Sequence, residues 1–165
     1  MKKIILVITL VLSIFLITGC GVNSKNGGGS ILNPNKTMNC TKESVDEDGY
    51  KTFETMNITY NSTKVLRVKS TNISETDPTY IDFGLSIGTA LASKLSEING
   101  MTMEYTKDGD NKIKIVMDVD FTKIDPAQIK EVFGELYNEE DSFYNKKDYT
   151  IEQFKKENLS GYNCK

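Results

Sequence analysis

Between Lys112 and Thr122 the chain alternates without a break. Ile113, Ile115, Met117, Val119 and Phe121 fall on one side, and Lys112, Lys114, Val116, Asp118 and Asp120 on the other. A period of two over that length predicts a strand with one face on a core and one in water. Tyr50–Tyr60 shows the same period, with Tyr50, Thr52, Glu54, Met56, Ile58 and Tyr60 on one side, and Lys64–Ile73 sets Leu66 and Val68 against Arg67 and Lys69. Thr37–Ser44 and Met101–Lys107 complete five strand-like runs. The breaks between them, Val45–Gly49, Asn61-Ser62-Thr63 and Asp108–Asn111, are rich in Asp, Asn, Ser and Gly and read as tight turns.

Elsewhere the period changes. Asp77-Pro78 has the form of a helix start, and Tyr80, Gly84, Ile87, Leu91, Leu95 and Ile98 then recur at helical spacing up to a stop at Asn99-Gly100. Gly84, Gly88 and Ala92 form a small-residue stripe on this segment, read as a helix pressed closely onto a sheet. Asp125-Pro126 repeats the start, with Ile129, Val132, Phe133 and Leu136 as the apolar face. After an acidic loop at Asn138–Asp148, Thr150-Ile151-Glu152-Gln153 has capping-box spacing ahead of a short helix anchored by Ile151 and Phe154. The order βββ-α-ββ-αα predicts an α+β domain: an antiparallel sheet of about five strands with helices packed on one face.

The N-terminus is of another kind. Met1-Lys2-Lys3 is a positive n-region, and Ile4–Ile17 is an apolar run of fourteen residues, short of the roughly 20 that span a bilayer. It ends in Leu16-Ile17-Thr18-Gly19-Cys20, followed by the Gly-, Asn- and Ser-rich stretch Gly21–Lys36. This resembles a bacterial lipobox, in which the cysteine thiol is alkylated with diacylglycerol and becomes the first mature residue. The resemblance implies a signal peptide over 1–19, lipidation at Cys20, a flexible tether over 20–36 and one domain over 37–165. A diacylglyceryl group supplies the two chains that stable anchoring takes. The expected location is the extracytoplasmic face of the cell membrane.

Losing Lys2 and Lys3 with the signal takes the 20 basic residues to 18 against 23 acids, a net charge near −5. An acidic domain is a poor partner for nucleic acid. With Cys20 carrying lipid, Cys40 and Cys164 remain at opposite ends of the folded part. Export makes a disulfide between them the expected state, with two unpaired thiols as the alternative.

Cys40-Thr41-Lys42-Glu43, Asn57-Ile58-Thr59-Tyr60, Gly100-Met101-Thr102 and Ile151-Glu152-Gln153-Phe154, together with the lipobox, resemble the YehR-like lipoproteins of bacteria. The resemblance implies a lipid-anchored envelope protein with a sheet-and-helix domain, and carries over no functional residue beyond Cys20.

No histidine is present, which removes the commonest general base and metal ligand and the Ser-His and Cys-His pairs. No Gly-rich phosphate loop occurs. No catalytic residue, metal ligand or cofactor is therefore assigned. Asp108-Gly109-Asp110-Asn111 lacks the glycine and closing glutamate of a calcium loop and reads as a hairpin turn. Asp118 and Asp120 share a strand face near Asp125, as a solvated surface or as a carboxylate pair. Met38, Met56, Met101, Met103 and Met117 read as core filler, or as soft ligands or pocket lining. Tyr50, Tyr60, Tyr80 and Tyr105 read as ordinary strand tyrosines or as the edge of a groove. The expected function is a non-enzymatic binding or accessory domain, its partner an envelope protein or an apolar small molecule held between sheet and helices. The alternative is a carboxylate-dependent hydrolase of an envelope polymer.

Overall fold

The computed structural model describes residues 35–134 and 149–165. Cys20, most of the tether, Leu136 and the 138–148 loop lie outside these residues. Six strands, β1 (Lys36–Val45), β2 (Lys51–Tyr60), β3 (Val65–Glu75), β4 (Met101–Lys107), β5 (Lys112–Asp120) and β6 (Asn163–Cys164), form one sheet in the order β4-β5-β3-β2-β1-β6. Every pairing is antiparallel. Helices α1 (Ile81–Leu95), α2 (Pro126–Phe133) and α3 (Ile151–Asn158) complete the α+β fold.

Local chemistry makes the turns. Asp46 accepts the N–H groups of Asp48 and Tyr50, and Gly49, at φ 86°, supplies the left-handed residue of the β1–β2 hairpin. Asn61 likewise accepts from the N–H groups of Thr63 and Lys64 to bring β3 back onto β2. The chain then crosses on α1 to enter β4 at the far edge, and β5 returns between β4 and β3. The strand with the cleanest alternation thus becomes an interior one.

Register explains the core. Met38, Ile58, Val68, Val119 and Met101 are successive cross-strand neighbours, and all five are buried. On the same face, Met103 and Met117 are paired and buried beside them, so these methionines fill the core. One cluster joins this face to Ala92, Leu95, Ile98, Ile124 and Ile129 under α1 and α2, and a second joins it to Ile151 and Phe154 of α3. Phe121 packs against both.

Several expectations need correction. Asp77 accepts from the N–H and hydroxyl of Thr79, and the turn it caps, Pro78–Tyr80, is 3-10; α1 begins only at Ile81. The β5 strand stops at Asp120, whose carboxylate accepts from the N–H and hydroxyl of Thr122 and so makes a turn of Phe121-Thr122. A sixth strand is added: the N–H groups of Asn39 and Lys165 each donate to the other's carbonyl at 2.9 Å, setting Asn163–Cys164 against β1. Ile87 does not face the core; it is 42% exposed, with Phe83 beside it at 48%. Glycines at 84 and 88 are the reason. They let the sheet side chains come up against the helix, Ile113 at Gly84 and the Tyr105 ring at Gly88, and Phe83 and Ile87 are turned outward while Ile81 and Leu95 stay buried.

That contact predicts the sign of one substitution. Alanine in place of a mid-helix glycine ordinarily gains about 1 kcal/mol. A Cβ at position 88 would lie within 2.6 Å of three carbons of the Tyr105 ring. Gly88→Ala is expected to lose about 1–3 kcal/mol through overpacking, read as a lower urea midpoint. A raised midpoint would mean that α1 stands off the sheet.

Candidate functional site

The sheet-and-helix packing leaves a cleft of about 340 Å3 along the β4 edge. Thr89 and Ser93 on the flank of α1, with Ser96 at its C-cap, form one wall, and Met103, Glu104 and Tyr105 of β4 form the other. The short α1 side chains follow from the sequence: a bulky residue at 89 or 93 would close the space. Of the tyrosines read as strand residues or as a groove's edge, Tyr105 lines this cleft. Its hydroxyl is buried and finds no hydrogen-bond partner among the described residues, and burial pushes its pKa up to about 12. It is therefore a neutral hydroxyl at any ordinary pH.

A second cleft, of about 350 Å3, lies by the β1–β2 hairpin, where Val45, Phe53 and Ile73 meet the Glu75–Lys112 pair. Val45 is 63% exposed there. The backbone N–H of Lys51 donates to Glu75 at 3.1 Å and, with Lys112, holds that carboxyl below its usual pKa against the opposing effect of burial.

The carboxylates singled out from the sequence are not brought together around an open space. Asp118 is held by Arg67 through two bonds, Nε to Oδ1 at 2.7 Å and Nη2 to Oδ2 at 2.6 Å. Asp120 caps its own turn and meets Lys123 at 3.3 Å. Burial alone would raise its pKa, but the Thr122 hydroxyl and N–H, and then Lys123, bring it below the ordinary value. Asp125 is the N-cap of α2, accepting from the N–H of Ala127 at 3.0 Å. Asp108–Asn111 closes the β4–β5 hairpin, the Asp108 N–H donating to the Lys112 carbonyl. Among the described residues no three acidic or cysteine side chains are grouped to hold a metal ion, and no helix is long and apolar enough to cross a membrane.

Cys40 and Cys164 are bridged, directly opposite one another across β1 and β6 with Cα atoms 4.0 Å apart. Beside the bridge, the Tyr162 hydroxyl donates to Glu54 at 2.6 Å and the Lys42 ammonium lies 5.4 Å from the Tyr162 ring centroid. The bridge was expected from the sequence, but the two Tyr162 contacts were not legible from spacing, since they join residues more than a hundred positions apart.

Three phenols, Tyr149 buried and Tyr105 and Tyr162 half-buried, give the fold a pH limit. Burial raises the pKa of Tyr105 to about 12, and raises those of Tyr149 and Tyr162 further, helped by Glu157 and Glu54 respectively. Each group ionises less readily folded than unfolded, so its contribution is complete below pH about 10 and is lost as pH rises through the folded value. The tyrosinate absorbance of the folded protein is expected to lag behind that of the urea-unfolded chain, with stability falling between pH about 10 and about 12. Coincident titration curves for the two states would contradict this.

The fold has relatives of known structure. It is similar to an NMR structure of a protein from Streptococcus pneumoniae TIGR4, with a TM-score of 0.51, 14% identity, and coverage of 89% of this chain and 94% of that one. It is also similar to the NMR structure of the E. coli YehR protein, with a TM-score of 0.53, 18% identity, and coverage of 81% of this chain and 93% of that one. No protein-family model matches the sequence. No curated protein matches it either. At these identities the likeness is one of fold, and YehR is among the structural neighbours.

Proposed function

We propose that this chain is a lipid-anchored lipoprotein of the cell envelope whose α+β domain is a non-enzymatic binding or accessory module. The observation that carries the reading is the Cys40–Cys164 bridge. Disulfides persist in oxidising, extracytoplasmic surroundings, which is where the Leu16–Cys20 pattern would send the chain. A tether over 20–36 would hold the domain clear of the lipid, with the α1–β4 cleft as its binding surface.

The intact mass of the native protein tests this. Loss of residues 1–19 and a diacylglyceryl addition at Cys20 are expected, and Cys20→Ser should move the protein from the membrane to the soluble fraction. Retention of Met1, or an unmodified thiol at Cys20, would overturn the anchor. The hydrolytic alternative, with Asp118 and Asp120 as its carboxylates, is less favoured because both are already engaged by Arg67 and by the Thr122 turn. A hydrolytic activity against cell-wall polymer that Asp118→Asn abolishes would restore it.

A further inference from the structure

The two edges of the sheet are finished differently. β1 is closed by β6, the disulfide and the paired bonds between Asn39 and Lys165. β4 has no strand beyond it among the described residues.

Which β4 groups face outward follows from the ladder. The Asp120 N–H donates to the Gly100 carbonyl at 2.7 Å and the Asp108 N–H to the Lys112 carbonyl at 2.9 Å. Bonded and non-bonded pairs alternate in an antiparallel ladder. The even-numbered residues of β4 therefore bond to β5, and Met103, Tyr105 and Lys107 turn their N–H and C=O groups to the open side. Edges are normally blunted by proline, a bulge or a covering element. Here β4 has no proline and pairs with β5 without a register shift, and its two charged residues are Glu104 on the outer face and Lys107 at its very end. The cleft walled by Thr89, Ser93 and Ser96 runs along it.

We propose that this slot takes an extended segment of another polypeptide, which adds to β4 as a further strand. The inference rests on reading the α1–β4 cleft as the binding surface. Donors and acceptors recurring at every second residue are matched by a peptide backbone, which is what makes strand addition a recognition mode. Alternate side chains of the added strand enter the cleft beside Thr89 and Ser93 and have to be small or apolar. The remainder lie on the outer face with Thr102, Glu104 and Thr106, where Glu104 favours a basic residue. A second copy fits less well. α1 packs chiefly on β4, so two-fold pairing of β4 edges would bring two α1 axes to roughly one strand spacing, about 5 Å. Packed helices need about 8–10 Å. The register centred on Glu104 would also set two carboxylates face to face.

The test uses the full chain in detergent micelles and, as probe, a capped seven-residue peptide in which valine alternates with threonine and lysine. Amide exchange at Met103, Tyr105 and Lys107 is expected to slow at least tenfold at millimolar peptide. N-methylation of one alternate set of peptide amides should abolish that protection, and N-methylation of the other set should leave it. Ser93→Arg, on the exposed wall, should weaken binding at least tenfold with an unchanged unfolding midpoint. Absent protection at those amides, or equal loss with both methylated peptides, would overturn the proposal. So would protection in the free protein that grows with its own concentration, which would make a second copy the occupant. The state of Cys20 affects none of these readings, so a failed anchor and a failed strand addition are told apart.

Discussion

Replacing both bridged cysteines, Cys40→Ala with Cys164→Ala, is expected to lower the unfolding free energy by about 4–5 kcal/mol. The two residues are 124 apart in sequence, and a crosslink closing so long a loop removes much of the freedom of the unfolded chain. The native state loses something as well. β6 has only two residues, held otherwise by the Asn39–Lys165 bonds and by Tyr162 on Glu54 and Lys42. Cys40 is 1% exposed, so its side chain is also part of the core. Urea unfolding with and without a thiol reductant measures the effect on the unmodified protein. Faster exchange of the Asn39 and Lys165 amides should accompany it, because these bonds depend on β6 staying in place. A difference below about 1 kcal/mol would mean that β6 and its polar contacts hold the C-terminus without the bridge.

Phe154→Ala is expected to cost about 3–5 kcal/mol, the range for deleting a fully buried aromatic side chain. α3 has two buried residues, Ile151 and Phe154, and the rest of its surface is polar. Its Thr150–Gln153 capping box orders the first turn, but an isolated helix of this length is not stable in water. Its presence therefore depends on Phe154, which packs edge-on against Tyr149 with ring centroids 5.6 Å apart and joins the cluster of Met38, Ile58 and Val68. Without that ring, α3 should loosen and leave this part of the sheet wet. The reading is a fall in the urea midpoint with faster amide exchange in α3. Combined with loss of the bridge, the change should be less than additive, since both act on the same C-terminal segment.

Much of the secondary structure was legible because its causes are local. The alternation of Lys112–Thr122 needs only that one face be dry. Asp125 and Thr150 cap helices with bonds to residues two and three positions on, and Asp46 and Asn61 shape their turns the same way. Where the local reading failed, a distant partner had changed the outcome. Ile87 has the right helical spacing for the core, yet Tyr105 and Ile113 rise to the glycines of α1 and displace it to the surface. Asp118 looked available for chemistry until Arg67, on a strand separated from it in sequence by a helix and another strand, claimed both of its oxygens.

The candidate site was legible only in part. Pocket lining was only one of two readings of Tyr105 and Met103, beside an ordinary strand or core position, and nothing in their neighbourhood says that β4 lies at an edge. That depends on β5 returning inside β4 rather than outside it.

The amino-acid order by itself determined five of the strands, the main helices, the class of the fold and the absence of histidine chemistry, because periodicity, caps and composition act over a few residues; β6 was not among them. Tertiary structure alone decided the order of the strands, the cross-strand position of Cys40 and Cys164, the partners of the carboxylates and the place of β4 as the outermost strand beside α1 among the described residues. These depend on contacts between residues tens of positions apart, whose closure entropy is offset only when the whole sheet and its helices pack together.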